Sequence, residues 1–418
     1  MKAVVVAALL AALADGAATR HATRAPKANG KSFTLNQIEN KNFKGHDGPM
    51  DLLRAHMKYA QKLPANLSKA LESNPDLRIK FGMYNQGDGQ TGTVQALPAR
   101  SDSEYGIIVD IGTPPQSIPL NLDTGSSDFW TFSTDTTDTM VKGQVLYRPN
   151  DSSTMKFLDG ETWKIKYGDS AHANGYVYTD RVQIGDTYVN DQAVQVAVNV
   201  SDDISRDNFV SGILGLANSA ANTVRPTPQH TYIDNIKDQL SLPIFTANLQ
   251  RNAPGNYNFG YINKSEYTGN IQYAQVDPTS PFWRISPTGY KIAETEHDEI
   301  IDAIVDTGTS LLLLPDSVVY DYYGQVPGSL YDLSHGMMVF PCDAELPDFY
   351  LTIKKYQGKV PGRYMIYGNE NQEYCFGGLQ SSAGLPFSVL GDVFLKAQFV
   401  VFDYADGIVG FANKDLQG

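Results

Sequence analysis

Asp123-Thr124-Gly125-Ser126-Ser127 recurs further along the chain as Asp306-Thr307-Gly308-Thr309-Ser310. At average residue usage one such string arises by chance in about one chain of this length in a thousand, and a pair in roughly one in a million. The pair is therefore read as a duplication. Each copy follows an apolar run, Ile118 to Leu122 (interrupted by Pro119 and Asn121) and Ala303-Ile304-Val305. Such a run reads as a strand ending in a tight glycine turn that presents a carboxylate. The surroundings are duplicated too. Gly212-Ile213-Leu214-Gly215 follows the first copy and Phe387-Ser388-Val389-Leu390-Gly391 the second, with 92 positions from Asp123 to Gly215 and 85 from Asp306 to Gly391. Repetition in register predicts two similar lobes facing each other, with Asp123 and Asp306 meeting between them.

The 418 residues are enough for two sizeable cores. Charged residues make up only 19%, while 36 glycines and 24 tyrosines give a β-leaning, globular composition. Val194 to Val200 alternates as a half-buried strand does, and Tyr176 to Ile184 is β-branched and aromatic up to Gly185. Helical patterns are few: Tyr232, Ile233, Ile236 and Leu240 before Pro243, and a segment from Pro315 to Tyr323. The fold expected is mostly β, in two lobes that join within residues 265–285.

Met1 to about Ala18 carries Lys2 and then a Val, Leu and Ala run ending in small residues. It reads as a secretory signal peptide, too short to span a membrane. No lipid-anchor tail is read at the C-terminus. Between Arg20 and Gln90 there are 12 Lys/Arg and 6 Asp/Glu, a net of +6. Lys2 and Asp15 cancel, so Thr91 to Gly418 carries −19 of the formal −13. A basic segment followed by an acidic body reads as a prosegment held by charge complementarity. Such a body repels phosphate, which argues against nucleic acid as a partner. The layout expected is a signal peptide over 1–18, a prosegment over 19–90 and lobes over 91–275 and 276–418. Leu52 to Leu63 predicts an amphipathic prosegment helix, and Gly87 to Gly92 a cleavable linker. Cys342 and Cys375 are the two cysteines, an even count that in a secreted chain implies a disulfide. Sequons begin at Asn66, Asn150, Asn199 and Asn263, as in a glycoprotein.

Two carboxylates about 3 Å apart cannot both ionise cheaply, so they share a proton and titrate as a unit. One then acts as general base on a water while the other polarises a carbonyl. This chemistry requires neither metal nor cofactor. The seven histidines form no pair at ligand spacing in the sequence, so metal ligation is poorly supported. A serine nucleophile at Ser126 or Ser127 lacks the Gly-x-Ser-x-Gly elbow. Glycoside hydrolysis wants carboxylates about 5 Å or more apart.

With these residues the chain resembles a pepsin-type aspartic protease zymogen, most of all the fungal penicillopepsin-like branch, from Ser103 to Asn413. The resemblance implies a bilobal fold of two β-sheet lobes, with a cleft between them and a hairpin flap over it. It makes Asp123 and Asp306 the catalytic dyad. Thr124 and Thr307 would interlock the turns, Gly125 and Gly308 complete them, and Ser126 and Thr309 hydrogen-bond the outer carboxylate oxygens. Tyr167-Gly168-Asp169 matches the flap, whose tyrosine would hydrogen-bond Trp130. The flap tip departs from the family, with Ser170-Ala171-His172 in place of the usual Gly then Ser. Ile204, Val210 and Ile213 match positions lining the pocket before the scissile bond, and Phe282 and Trp283 match positions on the leaving side. Only the second-lobe cysteine pair is present. Lys58-Tyr59 matches the pair with which relatives plug the site, as an ammonium lock released when the dyad protonates. The function implied is a secreted, monomeric acid endopeptidase. It would cleave proteins and peptides next to bulky apolar residues, and pepstatin-type inhibitors and its own prosegment would block it. The alternative is a catalytically silent binding or inhibitor protein on the same fold.

Overall fold

The structure, a computed structural model, describes residues 24–43, 45–60, 63–85, 105–167 and 171–416. The expected signal peptide and the Gly87 to Gly92 linker lie outside these residues. In the first lobe an eight-stranded sheet runs in the order Ile38–Glu39, Tyr105–Ile111, Gln116–Asp123, Gly212–Gly215, Phe129–Phe132, Thr187–Val200, Ala171–Ile184, Lys156–Tyr167. The second lobe holds a five-stranded sheet and two four-stranded ones. The five-stranded order is Arg284–Ile285, Ala303–Val305, Ser388–Leu390, Leu312–Leu314, Leu379–Ser381.

The repeat in the sequence is a repeat in register. Asp123 pairs in parallel with Gly215, and Val305 in parallel with Leu390. The strand leaving each turn pairs antiparallel with the same partner, Phe129 with Leu214 and Leu312 with Leu390. In both lobes the later strand is thus inserted between the two arms of the Asp loop. The arm Ala303-Ile304-Val305 is itself an interior strand, between Arg284–Ile285 and Ser388–Leu390, and is continuously apolar and fully buried, as a strand covered on both faces must be.

A six-stranded sheet, drawn from both halves of the chain, lies beneath the turns. Its order is Phe33–Asn36, Asn256–Phe259, Ile244–Asn248, Gln398–Asp403, Ile408–Asn413, Thr268–Gln275. Phe245 stacks on Phe402 at 4.5 Å and on Phe259 at 5.6 Å, making an aromatic core that spans the two halves.

The expected strands are present and longer. Tyr176 to Ile184 lies within Ala171–Ile184, and Val194 to Val200 within Thr187–Val200. Gly185, at φ +54°, turns the hairpin between them. The Tyr232 helix is shorter than its periodicity, ending at Ile236. Residues 239–241 instead exchange backbone hydrogen bonds with Lys31, whose N–H reaches Gln239 O at 2.8 Å. The basic N-terminal segment departs most from expectation. Its helix runs over Gly48–Tyr59 rather than Leu52 to Leu63. Asp47 caps it early, accepting from Met50 N–H at 3.4 Å, and Pro49 sits in the first turn where a missing N–H costs nothing. Two further helices follow, Ala65–Ser73 and Pro75–Asn85. Upstream, Phe33–Asn36 forms the edge of the six-stranded sheet, with Phe33 stacked on Phe259 at 5.0 Å.

Cys342 and Cys375 form the expected disulfide, with Cα atoms 5.0 Å apart across neighbouring strands of the second lobe. The loop closed spans a sequence separation of 33. Replacing both cysteines with Ser is expected to lower unfolding stability by about 3–4 kcal/mol. Denaturant melts of the two proteins check this, and a loss below about 1 kcal/mol refutes it.

Candidate active site between the lobes

Thr124 and Thr307 tie the two turns together reciprocally. Thr124 N–H donates to Thr307 Oγ1 at 3.1 Å, and Thr307 N–H to Thr124 Oγ1 at 3.0 Å. Each hydroxyl then donates across the interface, Thr124 to Val305 O at 2.9 Å and Thr307 to Leu122 O at 2.8 Å. These bonds are buried, so each serves as donor and acceptor with no water to compete. The turns approach so closely that only glycine fits beside them. A Cβ on Gly125 would lie 2.5 Å from Asp306 Cγ, and one on Gly308 would lie 2.2 Å from Asp123 Oδ1.

The Asp123 and Asp306 side chains therefore meet, 2% and 0% exposed. Lys58 reaches both from the end of the helix Gly48–Tyr59. Its Nζ is 2.8 Å from Asp123 Oδ1, and 3.3 and 3.1 Å from Asp306 Oδ1 and Oδ2. Tyr59 donates its hydroxyl to Asp306 Oδ2 at 2.6 Å. The Tyr59 ring is held edge-on by Phe387 at 5.2 Å and Phe282 at 5.8 Å. Backbone amides complete the cradle, with Gly125 N–H on Asp123 Oδ1 at 2.9 Å and Gly308 N–H on Asp306 Oδ1 at 2.8 Å. Thr309 Oγ1 donates to Asp306 Oδ2.

Burial is the largest influence on both carboxyls and pushes both upward. On Asp306 the Lys58 ammonium outweighs it, helped by hydrogen bonds from Asp123, Thr309 and Tyr59, and holds the group at about 2. On Asp123 burial prevails despite Lys58, with the Asp306 charge adding to it, and the group sits above its ordinary value. Burial acts to lower Lys58, but the two carboxylates win and raise it. Burial and the same carboxylates push Tyr59 well up, so it remains a neutral donor. The pair is asymmetric: Asp123 is the better holder of a proton and Asp306 the better holder of charge.

Trp130, Ile204, Val210 and Ile213 line a cavity of about 540 Å³ that Lys58 and Asp123 also face. Trp130 stacks on Trp163 at 6.0 Å, and its buried indole N–H has no acceptor among the described residues. Tyr167 ends the strand Lys156–Tyr167 and pairs with Ala171 across a hairpin. Gly168 and Asp169, the rest of the expected flap, lie outside the described residues. Two expectations need correction. Trp283 does not face the cleft: its indole donates to Leu216 O at 3.0 Å, and its ring packs on Phe402 and Tyr404 in the aromatic core. Ser126 does not hydrogen-bond a carboxylate: its hydroxyl is buried without a partner among the described residues. Asp123 takes its hydrogen bonds from Lys58 and Gly125 instead.

The outer anchors of the basic segment were not legible in the sequence. Asp51 accepts from Tyr367 Oη at 2.7 Å, and Arg24 reaches Asp406 at 2.7 Å and Asp403 at 3.5 Å. Their only signal was the overall charge contrast. Phe387 was visible only as part of the repeat. One group of metal-ligating type occurs among the described residues, Asp332, His335 and Glu370. There His335 already pairs with both carboxylates.

Two interlocked Asp-Thr-Gly turns at the junction of two β lobes define a pepsin-like aspartic protease. Residues 104–414 match the family model of eukaryotic aspartyl protease, and the chain belongs to that family. Its similarity is to fungal members. It is 42% identical to endothiapepsin of Cryphonectria parasitica over 394 residues, 93% of this chain and 92% of that protein. It is 42% identical to aspergillopepsin-1 of Aspergillus oryzae over 407 residues, 97% of this chain and 98% of that protein. It is also 42% identical to penicillopepsin-2 of Penicillium janthinellum over 359 residues, 85% of each chain. The crystal structure of aspartic proteinase from Irpex lacteus shares the fold at a TM-score of 0.62 and 22% identity, covering 75% of this chain and 95% of that one.

Proposed function

We propose that this chain is the precursor of a secreted acid endopeptidase, held latent by its own basic segment. Residues 1–18 are the signal peptide, 19–90 the prosegment, and 91–275 and 276–418 the two catalytic lobes. One observation carries the reading: the Lys58 ammonium lies between both carboxylates, where a water must sit for hydrolysis. Once Lys58 leaves, Asp306 and Asp123 share one proton. The ionised member takes a proton from the water, the water oxygen attacks the peptide carbon, and the other member protonates the carbonyl oxygen. In the collapse of the tetrahedral diol the member now ionised takes a proton from one hydroxyl while the protonated member gives one to the departing nitrogen, so the amine leaves with no covalent intermediate. Phe282 and the apolar wall of Ile204, Val210 and Ile213 favour bulky apolar side chains beside the scissile bond. By resemblance Tyr167, Gly168 and Asp169 are assigned to the flap over the bound peptide, and Tyr167 to partner Trp130; Gly168 and Asp169 lie outside the described residues.

The pH dependence follows in sign. Asp306 is held at about 2 in the closed state, against an ordinary 3.8. At Asp306 the ion pair therefore favours closure above about 3.8 and loses that contribution as the pH falls toward 2, whereas Asp123, held above its ordinary value, contributes in the opposite sense. Acid treatment of the full-length chain is expected to release an active protein whose new N-terminus lies between about Gly87 and Arg100, with pepstatin-sensitive cleavage of a test protein. N-terminal sequencing and a proteolysis assay check both. Acid-treated protein with no pepstatin-sensitive activity would falsify the reading.

A further inference from the structure

We infer that His56 is an acid-sensing residue of the prosegment, one that loosens its hold on the second lobe at milder acidity than the Lys58 ion pair requires. The inference rests on the zymogen reading above and assigns a second step to its regulation.

His56 lies two residues before Lys58 on the helix Gly48–Tyr59, so the two side chains point to roughly opposite sides of it. Lys58 faces the dyad and His56 faces the second lobe. The imidazole is 2% exposed. Its Nδ1 is 3.0 Å from Leu52 O in the same helix, and its Nε2 is 3.3 Å from Ala383 O. Ala383 belongs to the loop between Leu379–Ser381 and Ser388–Leu390, the strand that pairs beside the Asp306 turn. A neutral imidazole carries one N–H and satisfies one of these carbonyls. A second proton satisfies both but places a full charge in a buried interface.

Among the described residues no carboxylate bonds to the ring to balance that charge. A cavity of about 240 Å³ borders the imidazole, and Asp316 is the carboxylate on its wall. Asp316 is engaged by the Ser381 hydroxyl. Tyr331 accepts from Asn66 at 2.7 Å, and Tyr320 is the other phenol present. On the helix itself Asp51 pairs with Arg54 at 3.1 Å, and Lys58 is committed to the dyad. No ion pair among the described residues includes His56. Burial is accordingly the largest influence and holds the imidazole below its ordinary 6.5, the two carbonyls recovering only part of the loss.

The sign is fixed. The docked prosegment binds fewer protons at His56 than the released one, so docking is favoured above 6.5 and weakens as the pH falls below it. The docked-to-released ratio changes by up to about tenfold per pH unit, down to the docked value. The Lys58 pair begins to yield only below about 3.8. Release thus has two limbs: mild acid charges His56 and frees the helix from the second lobe, and stronger acid then titrates the dyad.

The test compares full-length wild-type chain with His56→Gln, which keeps a donor for Ala383 O but takes up no proton. Conversion to the shortened form is followed at fixed time across pH 3 to 7. The variant is expected to convert about tenfold more slowly at pH 5 and at the wild-type rate at pH 3. Equal rates at pH 5 overturn the assignment while leaving the zymogen reading intact. A full-length chain already active at pH 7 without shortening sinks that reading instead. Should the variant dock poorly, imidazole NMR titration of the unaltered chain decides. A His56 resonance titrating below 6.5, together with loss of docking, supports the assignment, and one titrating at or above 6.5 overturns it.

Discussion

Asp306→Asn is expected to abolish proteolysis, lowering kcat/KM by on the order of 10⁴-fold. Asn is nearly isosteric with Asp, and its oxygen still accepts from the Gly308 amide that now reaches Asp306 at 2.8 Å. The interlock through Thr124 and Thr307 does not involve the carboxyl, so the two turns keep their spacing. What disappears is the shared proton. An amide neither takes a proton from water nor holds a negative charge against Asp123, and the remaining carboxyl then titrates as a single buried acid. KM should change little, because the pocket walls at Ile204, Val210 and Ile213 are untouched. Since the variant cannot convert itself, it is shortened with a trace of active enzyme before peptide hydrolysis is measured. Residual activity within tenfold of wild type would remove Asp306 from the chemistry. The experiment also separates an enzyme from a silent binding protein on this fold, because a binder keeps its affinity for peptide when the charge is removed.

The duplicated turn was legible because its signal is local and repeated. The same five residues, followed by a Gly-ending apolar strand, appear twice, and the structure returns them as two loops of identical pairing. The Lys58-Tyr59 pair was legible only through the family resemblance; taken alone, a lysine beside a tyrosine on a helix carries no such signal. The disulfide followed from an even count. The prosegment strand Phe33–Asn36 was not legible, because its partner Asn256–Phe259 is more than 200 residues away and four residues carry too little periodicity. The helix start was hidden by Gly48-Pro49, a dipeptide that reads as a turn until Asp47 is seen to cap it. Trp283 was placed on the cleft by analogy of position, whereas its side chain turns into the aromatic core that joins the two halves. Ser126 was assigned to a carboxylate, but with the ammonium present Asp123 already has its donors. His56 carried no signal of its own in the sequence. Only the docked geometry reveals that it is buried.

Lys58→Met carries the other large effect. Met retains most of the aliphatic stem, which is only 12% exposed, and removes the ammonium. Deleting one partner of a buried ion pair costs about 3–5 kcal/mol, because the charges left behind are uncompensated. Here two carboxylates remain, facing each other without a cation, and docking of the prosegment should weaken by about 10²- to 10³-fold near neutral pH. The dyad responds by binding a proton more tightly: without Lys58, Asp306 loses the chief influence that holds it at about 2. The variant therefore loses the acid limb set by that group, and latency should fail well above pH 3.8. Full-length wild type and variant, mixed with immobilised pepstatin at pH 6, give the readout. Wild type should pass through unbound, whereas the variant should be captured before any shortening. Equal exclusion of both proteins would mean that the helices and the Phe33–Asn36 strand hold the prosegment closed without the ion pair. Combining Lys58→Met with His56→Gln separates the two limbs. The double variant should keep the early opening of Lys58→Met, because a histidine that senses acid matters only while the ion pair still holds the helix in place.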